Sequence, residues 1–140
     1  MEQITVNLTS NEHLYEILDK KLDVIYVHTF SPNDNGRWKE ANIDLGIPLK
    51  NTYVKEVVLD IKTDLEGLKQ LISLNTHQLL IYQFNKSLPD ALSINRLPEE
   101  NRLQILKQNG LQHSFFVNYE FVTVSSFDND FISILKKQIK

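Results

Sequence analysis

Leu79-Leu80-Ile81-Tyr82-Gln83-Phe84 is nearly continuous apolar sequence in a chain of 140 residues. A strand that is apolar on both faces belongs in the middle of a sheet, with helices covering each side. The first expectation is therefore one sheet with residues 79–84 near its centre.

The flanking sequence supplies the helices. Tyr53 to Ile61 reads as a strand with Val57, Leu59 and Ile61 inward. Thr63-Asp64-Leu65-Glu66 has capping-box spacing and opens a helix with Leu65, Leu68, Leu71 and Ile72 on one face, stopping near Asn75. Gly67 weakens that helix by up to about 1 kcal/mol relative to alanine. Nearer the N-terminus, Gln3 to Leu8 alternates, with Ile4, Val6 and Leu8 on one face. Thr9-Ser10-Asn11-Glu12 repeats the capping-box spacing before Leu14, Ile17 and Leu18, and Lys20-Lys21 suits the end of that helix. Asp23 to Phe30, rich in β-branched and aromatic residues, is a further strand.

Beyond Phe84, Ser87-Leu88-Pro89-Asp90 and Asn95-Arg96-Leu97-Pro98 read as turns. Pro98 with Glu99-Glu100 opens a helix that closes at Asn109-Gly110. Ser114 to Ser125 is either one long strand with a bulge or a hairpin turning near Asn118-Tyr119. Asp128 caps a last helix with Phe131, Ile132, Leu135 and Ile139 inward.

The stretch from Ser31 to Leu49 has two readings. As a loop it is far longer than the usual four to six or so residues, which points to a functional segment. Alternatively Arg37 to Gly46 is a helix, with Trp38, Ala41 and Leu45 on one face and Gly46 just past its end.

The alternation of elements gives an α/β (or α+β) domain spanning residues 1–140, with one mixed sheet of about five to six strands and four to five flanking helices. Right-handed crossovers make strands joined by helices parallel. The element order resembles a thioredoxin-like domain with a helix, 98–109, inserted before the last strands. The resemblance places Ser31 to Gly36 where that family carries its redox motif, yet there is no cysteine pair, and Asn75-Thr76-His77 stands where a proline is expected. It therefore implies a binding role on the scaffold, without redox chemistry.

Composition excludes several functions. Hydrophobic residues at 41% and charged residues at 24% are ordinary globular usage. The absence of cysteine removes disulfides, zinc–thiolate sites, iron–sulfur ligation and a thiol nucleophile. No Walker motif or dinucleotide fingerprint occurs, so no cofactor is expected. A net charge of −3 lacks the basic excess of a nucleic-acid-binding surface. No apolar run approaches the roughly 18 residues that a membrane span needs, and the N-terminus has no signal-peptide pattern, so a cytoplasmic protein is expected. Lysine outnumbers arginine twelve to three, the bias of an AT-rich coding sequence such as a bacterial one.

Candidate chemistry is sparse. His28 lies on one strand face with Tyr26 and Phe30, just before Asp34, and a His–Asp pair there is one option for a small-ligand or enzyme site, Arg37 included. A histidine satisfied by backbone is the competing reading. His13 and Glu16 share a helix face but find no further ligands in the sequence, and His77 and His113 stand alone. Lys136, Lys137 and Lys140 are accounted for by a helix C-terminus.

The first expectation for function is a non-catalytic module that binds another protein, in the manner of a toxin-neutralising immunity protein or a small adaptor. An acidic chain suits a basic partner, because charge complementarity speeds association. The expected contact is Asn33, Asp34, Arg37, Trp38, Glu40 and Asp44, with Trp38 as anchor. The competing reading places Trp38 in the core. Homodimerisation through the aromatic 114–125 strand is a further expectation.

Overall fold

The computed structural model describes residues 1–29, 61–73 and 78–138. Its strands are β1 (Glu2–Asn7), β2 (Val24–Thr29), β3 (Ile61–Thr63), β4 (Gln78–Phe84), β5 (Leu111–Asn118) and β6 (Phe121–Ser126). Its helices are α1 (Asn11–Ile17), α2 (Leu65–Ser73), α3 (Arg102–Gln108) and α4 (Asn129–Gln138). The six strands form a single sheet in the order β1-β6-β5-β4-β2-β3.

β4 is central, and the alternation of its side chains builds two cores. Leu79 and Ile81 join Leu14 and Ile17 of α1, Leu68 and Ile72 of α2, and Ile132 and Leu135 of α4 on one face. Tyr82 and Phe84 join Leu88, Ile94, Leu106 and Leu111 on the other, where α3 and its approach cover the sheet. Both clusters exclude water, which is why a run of apolar residues is stable there.

The single six-stranded sheet with flanking helices is the α/β arrangement that the alternation predicts. The parallel pairs are not found: every pairing among the described strands is antiparallel. α1 and α2 carry the chain between strands that are not neighbours, while α3 joins the neighbouring antiparallel strands β4 and β5. α1 takes it from β1 at one edge to β2 across the sheet, and α2 from β3 to β4 with β2 between them; each of these pairs runs in the same direction without bonding to one another. The thioredoxin-like strand order is likewise not found.

Residues 114–125 resolve as a hairpin. Asn118 pairs with Phe121 across a two-residue turn, Tyr119-Glu120. Both of its strands are internal to the sheet, so neither offers a free edge for self-association. Helix starts shift by one residue from expectation. Ser10, not Thr9, accepts the His13 N–H at 3.1 Å, and Asp64, not Thr63, accepts the Gly67 N–H at 2.7 Å. α1 also stops short of Lys20. The Lys20 Nζ instead folds back to donate to the carbonyl oxygens of Tyr15, Glu16 and Leu18 at 2.6, 2.9 and 3.0 Å. Asp128 caps α4 as expected, accepting from Asp130 N–H at 3.0 Å. The expected helix at Arg37–Gly46 and all but the last residue of the Tyr53–Ile61 strand lie outside the described residues.

Gly110 turns the chain from α3 into β5 at φ +101°, and its carbonyl accepts from Asn85 N–H at 3.0 Å. A Cβ there would lie 2.5 Å from Asn85 Oδ1 and 2.9 Å from Lys86 Cγ. We expect Gly110→Ala to destabilise the fold by more than about 1 kcal/mol, because backbone strain and the close contact add. Urea denaturation would show this as a lower midpoint at unchanged slope.

Candidate functional site

Gln83, the buried polar residue next to the end of the central strand, begins a row of opposed polar side chains. Register places Gln83 opposite His113 on β5, His113 opposite Ser126 on β6, and Ser126 opposite Glu2 on β1. Gln83, His113 and Ser126 are 0%, 1% and 0% exposed, so each needs an internal partner.

The loop after α1 provides two of them. Gln83 Oε1 accepts from Asp19 N–H at 3.0 Å, and Gln83 Nε2 donates to the carbonyls of Asp19 at 2.9 Å and Leu22 at 3.3 Å. Held in this way, Asp19 directs Oδ2 to His113 Nε2 at 2.8 Å. His113 Nδ1 meets Ser126 Oγ at 2.7 Å, and Ser126 Oγ also accepts from Asp128 N–H at 2.8 Å. A carboxylate only accepts, so neutral His113 donates from Nε2 to Asp19 and accepts at Nδ1 from the Ser126 hydroxyl. The ring stacks on Phe131 of α4 at 3.9 Å between centroids.

Burial lowers the His113 pKa from 6.5, and the hydrogen bond and charge of Asp19, with Asp128 behind it, oppose that shift. A groove of about 520 Å³ between the end of α1 and α4 lies over this corner, lined by Asp19, Lys20, Asp128, Asp130 and Phe131 among others. The Asp19 side chain is 18% exposed, so solvent protons reach the network through it.

A serine, a histidine and an aspartate in sequence invite a nucleophile reading, and the geometry opposes it. Ser126 is fully buried, and its oxygen already accepts the Asp128 amide. The arrangement is a clasp: it ties the loop after α1, the two hairpin strands and the start of α4 into one hydrogen-bonded unit.

A second feature lies at the opposite end of the sheet. The tip of the β5–β6 hairpin exposes Tyr119 (65%) and Phe121 (52%), with Phe116 (40%) beside them. Tyr119 adopts φ 57°, the region that two-residue hairpin turns favour and that glycine or asparagine fills at least cost.

The contact residues expected from sequence, Asn33, Asp34, Arg37, Trp38, Glu40 and Asp44, lie outside the described residues. Of the His28–Asp34 pair, the structure describes the backbone of His28, opposite Leu80 in β4. His13 Nδ1 accepts the Thr9 N–H at 3.2 Å and so serves the start of α1. His113 is the correction: it reads as isolated in sequence and is the centre of the clasp. The missed signal is register. A turn at 119–120 makes 113 and 126 direct partners, whereas Asp19 comes from 94 residues away and leaves no local trace. Among the described residues no helix is long and apolar enough to cross a membrane. No family model, no curated protein and no solved structure matches the chain.

The sign of the pH effect follows from the lowered pKa. The unfolded chain takes a proton on His113 near pH 6.5 while the folded chain resists. The stabilisation is complete above that value and is lost as pH falls through it towards the folded pKa. We expect unfolding free energy to drop as pH falls below the ordinary histidine value of 6.5, and His113→Phe to flatten that slope while lowering stability at pH 7. Urea titrations at several pH values measure both.

Proposed function

We propose that this chain is a non-catalytic protein-binding module of the cytoplasm that neutralises or recruits a basic partner, as an immunity-type protein or small adaptor does. The observation that carries this reading is the exposed aromatic tip of the β5–β6 hairpin. Tyr119 stands there at a backbone conformation that costs an L-residue roughly 1–2 kcal/mol, although the turn would be more stable with glycine or asparagine. A strained, exposed tyrosine beside Phe121 and Phe116 has the composition of an interface hot spot.

Two further observations support the reading. The formal net charge is −3, and Glu120 is exposed next to Tyr119, which suits a basic surface. β2 ends at Thr29, opposite Leu79, and Leu79 pairs with Val117, two residues before Tyr119. The chain thus enters the stretch bearing Asn33, Asp34, Arg37, Trp38, Glu40 and Asp44 at the end of the sheet that carries the hairpin. On this reading Trp38 and Tyr119 belong to one contact surface.

The test is capture of a partner from the native cell by the immobilised chain, followed by titration. Tyr119→Asn is expected to weaken binding by about 2 kcal/mol, roughly thirty-fold, while raising stability by a few tenths to about 1 kcal/mol. Trp38→Ala is expected to weaken binding with no loss of fold. Undiminished binding by both variants would overturn the proposal. Unfolding of Trp38→Ala would place Trp38 in the core and remove it from the surface.

A further inference from the structure

β1 is an edge of the sheet, and the direction of its backbone groups can be read from one hydrogen bond. Leu8 N–H donates to Glu120 O at 2.6 Å, one step beyond the Asn7–Phe121 pair. In an antiparallel ladder a residue turns both its N–H and its C=O to one neighbour, and the next residue turns both away. Leu8, Val6 and Ile4 therefore bond inward to β6. Gln3, Thr5 and Asn7 present theirs outward, and among the described residues no strand lies beyond them.

Edges of this kind are normally blunted by proline, by lysine or by a bulge. Residues 3–7 contain neither of those residues, and the register with β6 runs unbroken from Glu2–Ser126 to Asn7–Phe121.

We propose that this edge pairs with the same edge of a second copy, antiparallel about a twofold axis at Thr5. The strand is complementary to itself in that register. Thr5 faces Thr5, and Gln3 of each copy faces Asn7 of the other, so every outward group of the strand finds a partner. On the helix-covered face, Ile4 of each copy lies across from Val6 of the other and continues the apolar layer over the seam. Glu2 falls opposite Leu8, so no like charges meet. Centring on Ile4 instead would set the Glu2 carboxylate against Val6, and centring on Val6 would leave Gln3 opposite Thr9, beyond the end of the strand. Two sheets joined in this way become one continuous sheet across the dimer. A single strand pair buries less than the roughly 1,600 Å² of a standard interface, which places the dimer among weak, transient associations.

Sedimentation velocity over about 10–500 µM tests the proposal. Wild type is expected to shift from monomer towards dimer across that range. Thr5→Pro removes an outward N–H and no β1–β6 bond, and Thr5→Lys sets two like charges face to face on the axis. Both variants are expected to remain monomeric with the far-UV circular dichroism of wild type. A wild type that stays monomeric throughout, or a folded Thr5→Lys that dimerises as strongly as wild type, would overturn it. Should Thr5→Pro misfold, Thr5→Lys decides alone.

Discussion

The buried amide of Gln83 is the constraint on which the rest of this structure depends. It interrupts the apolar central strand, and it is satisfied by the backbone of the loop after α1. Leaving such a group unpaired would cost about 1–3 kcal/mol, so the loop must sit where it does. Asp19 is then delivered to His113, His113 to Ser126, and Ser126 to the amide of Asp128 that starts α4. One polar side chain in β4 thereby sets the positions of two helices on the same face. The row also fixes register. A slip of one residue in the hairpin would move His113 from Ser126 to the other face, stranding two buried polar groups.

This arrangement separates stability from recognition along the sheet. The polar row and its groove lie at one end, where burial makes the hydrogen bonds strong and Asp19 keeps them in contact with solvent protons. The aromatic hairpin tip lies at the other end, where strain at Tyr119 is tolerated because the strands behind it are internal and paired on both sides. The β1 edge runs between these ends, with Glu2 held 3.8 Å from Lys136 of α4 at the end that carries the polar row.

Much of the fold was legible in the sequence, for reasons that particular residues make plain. Continuous apolar character placed 79–84 at the centre, Asp128 and Gly110 marked helix ends, and Pro98 marked the 3₁₀ turn Glu99–Asn101 that leads into α3 four residues later than expected, because those signals act over one or two turns. Strand order was not legible, since antiparallel pairing between β1 and β6 or β2 and β4 is decided by contacts far apart in sequence. Thr9 and Thr63 were each one residue away from the true cap because Ser10 and Asp64 have equal chemical claim. The clasp was hidden for a similar reason. Gln83 looks like a lapse in an apolar run, and its meaning depends on a loop sixty residues earlier.

Asp19 and His113 act as one structural unit. A double-mutant cycle with Asp19→Ala, His113→Phe and the combined variant, read by urea unfolding above pH 7, measures their coupling directly. More than about 1 kcal/mol of coupling is expected, with the double variant far less destabilised than the sum of the singles. Strict additivity of the two would contradict it.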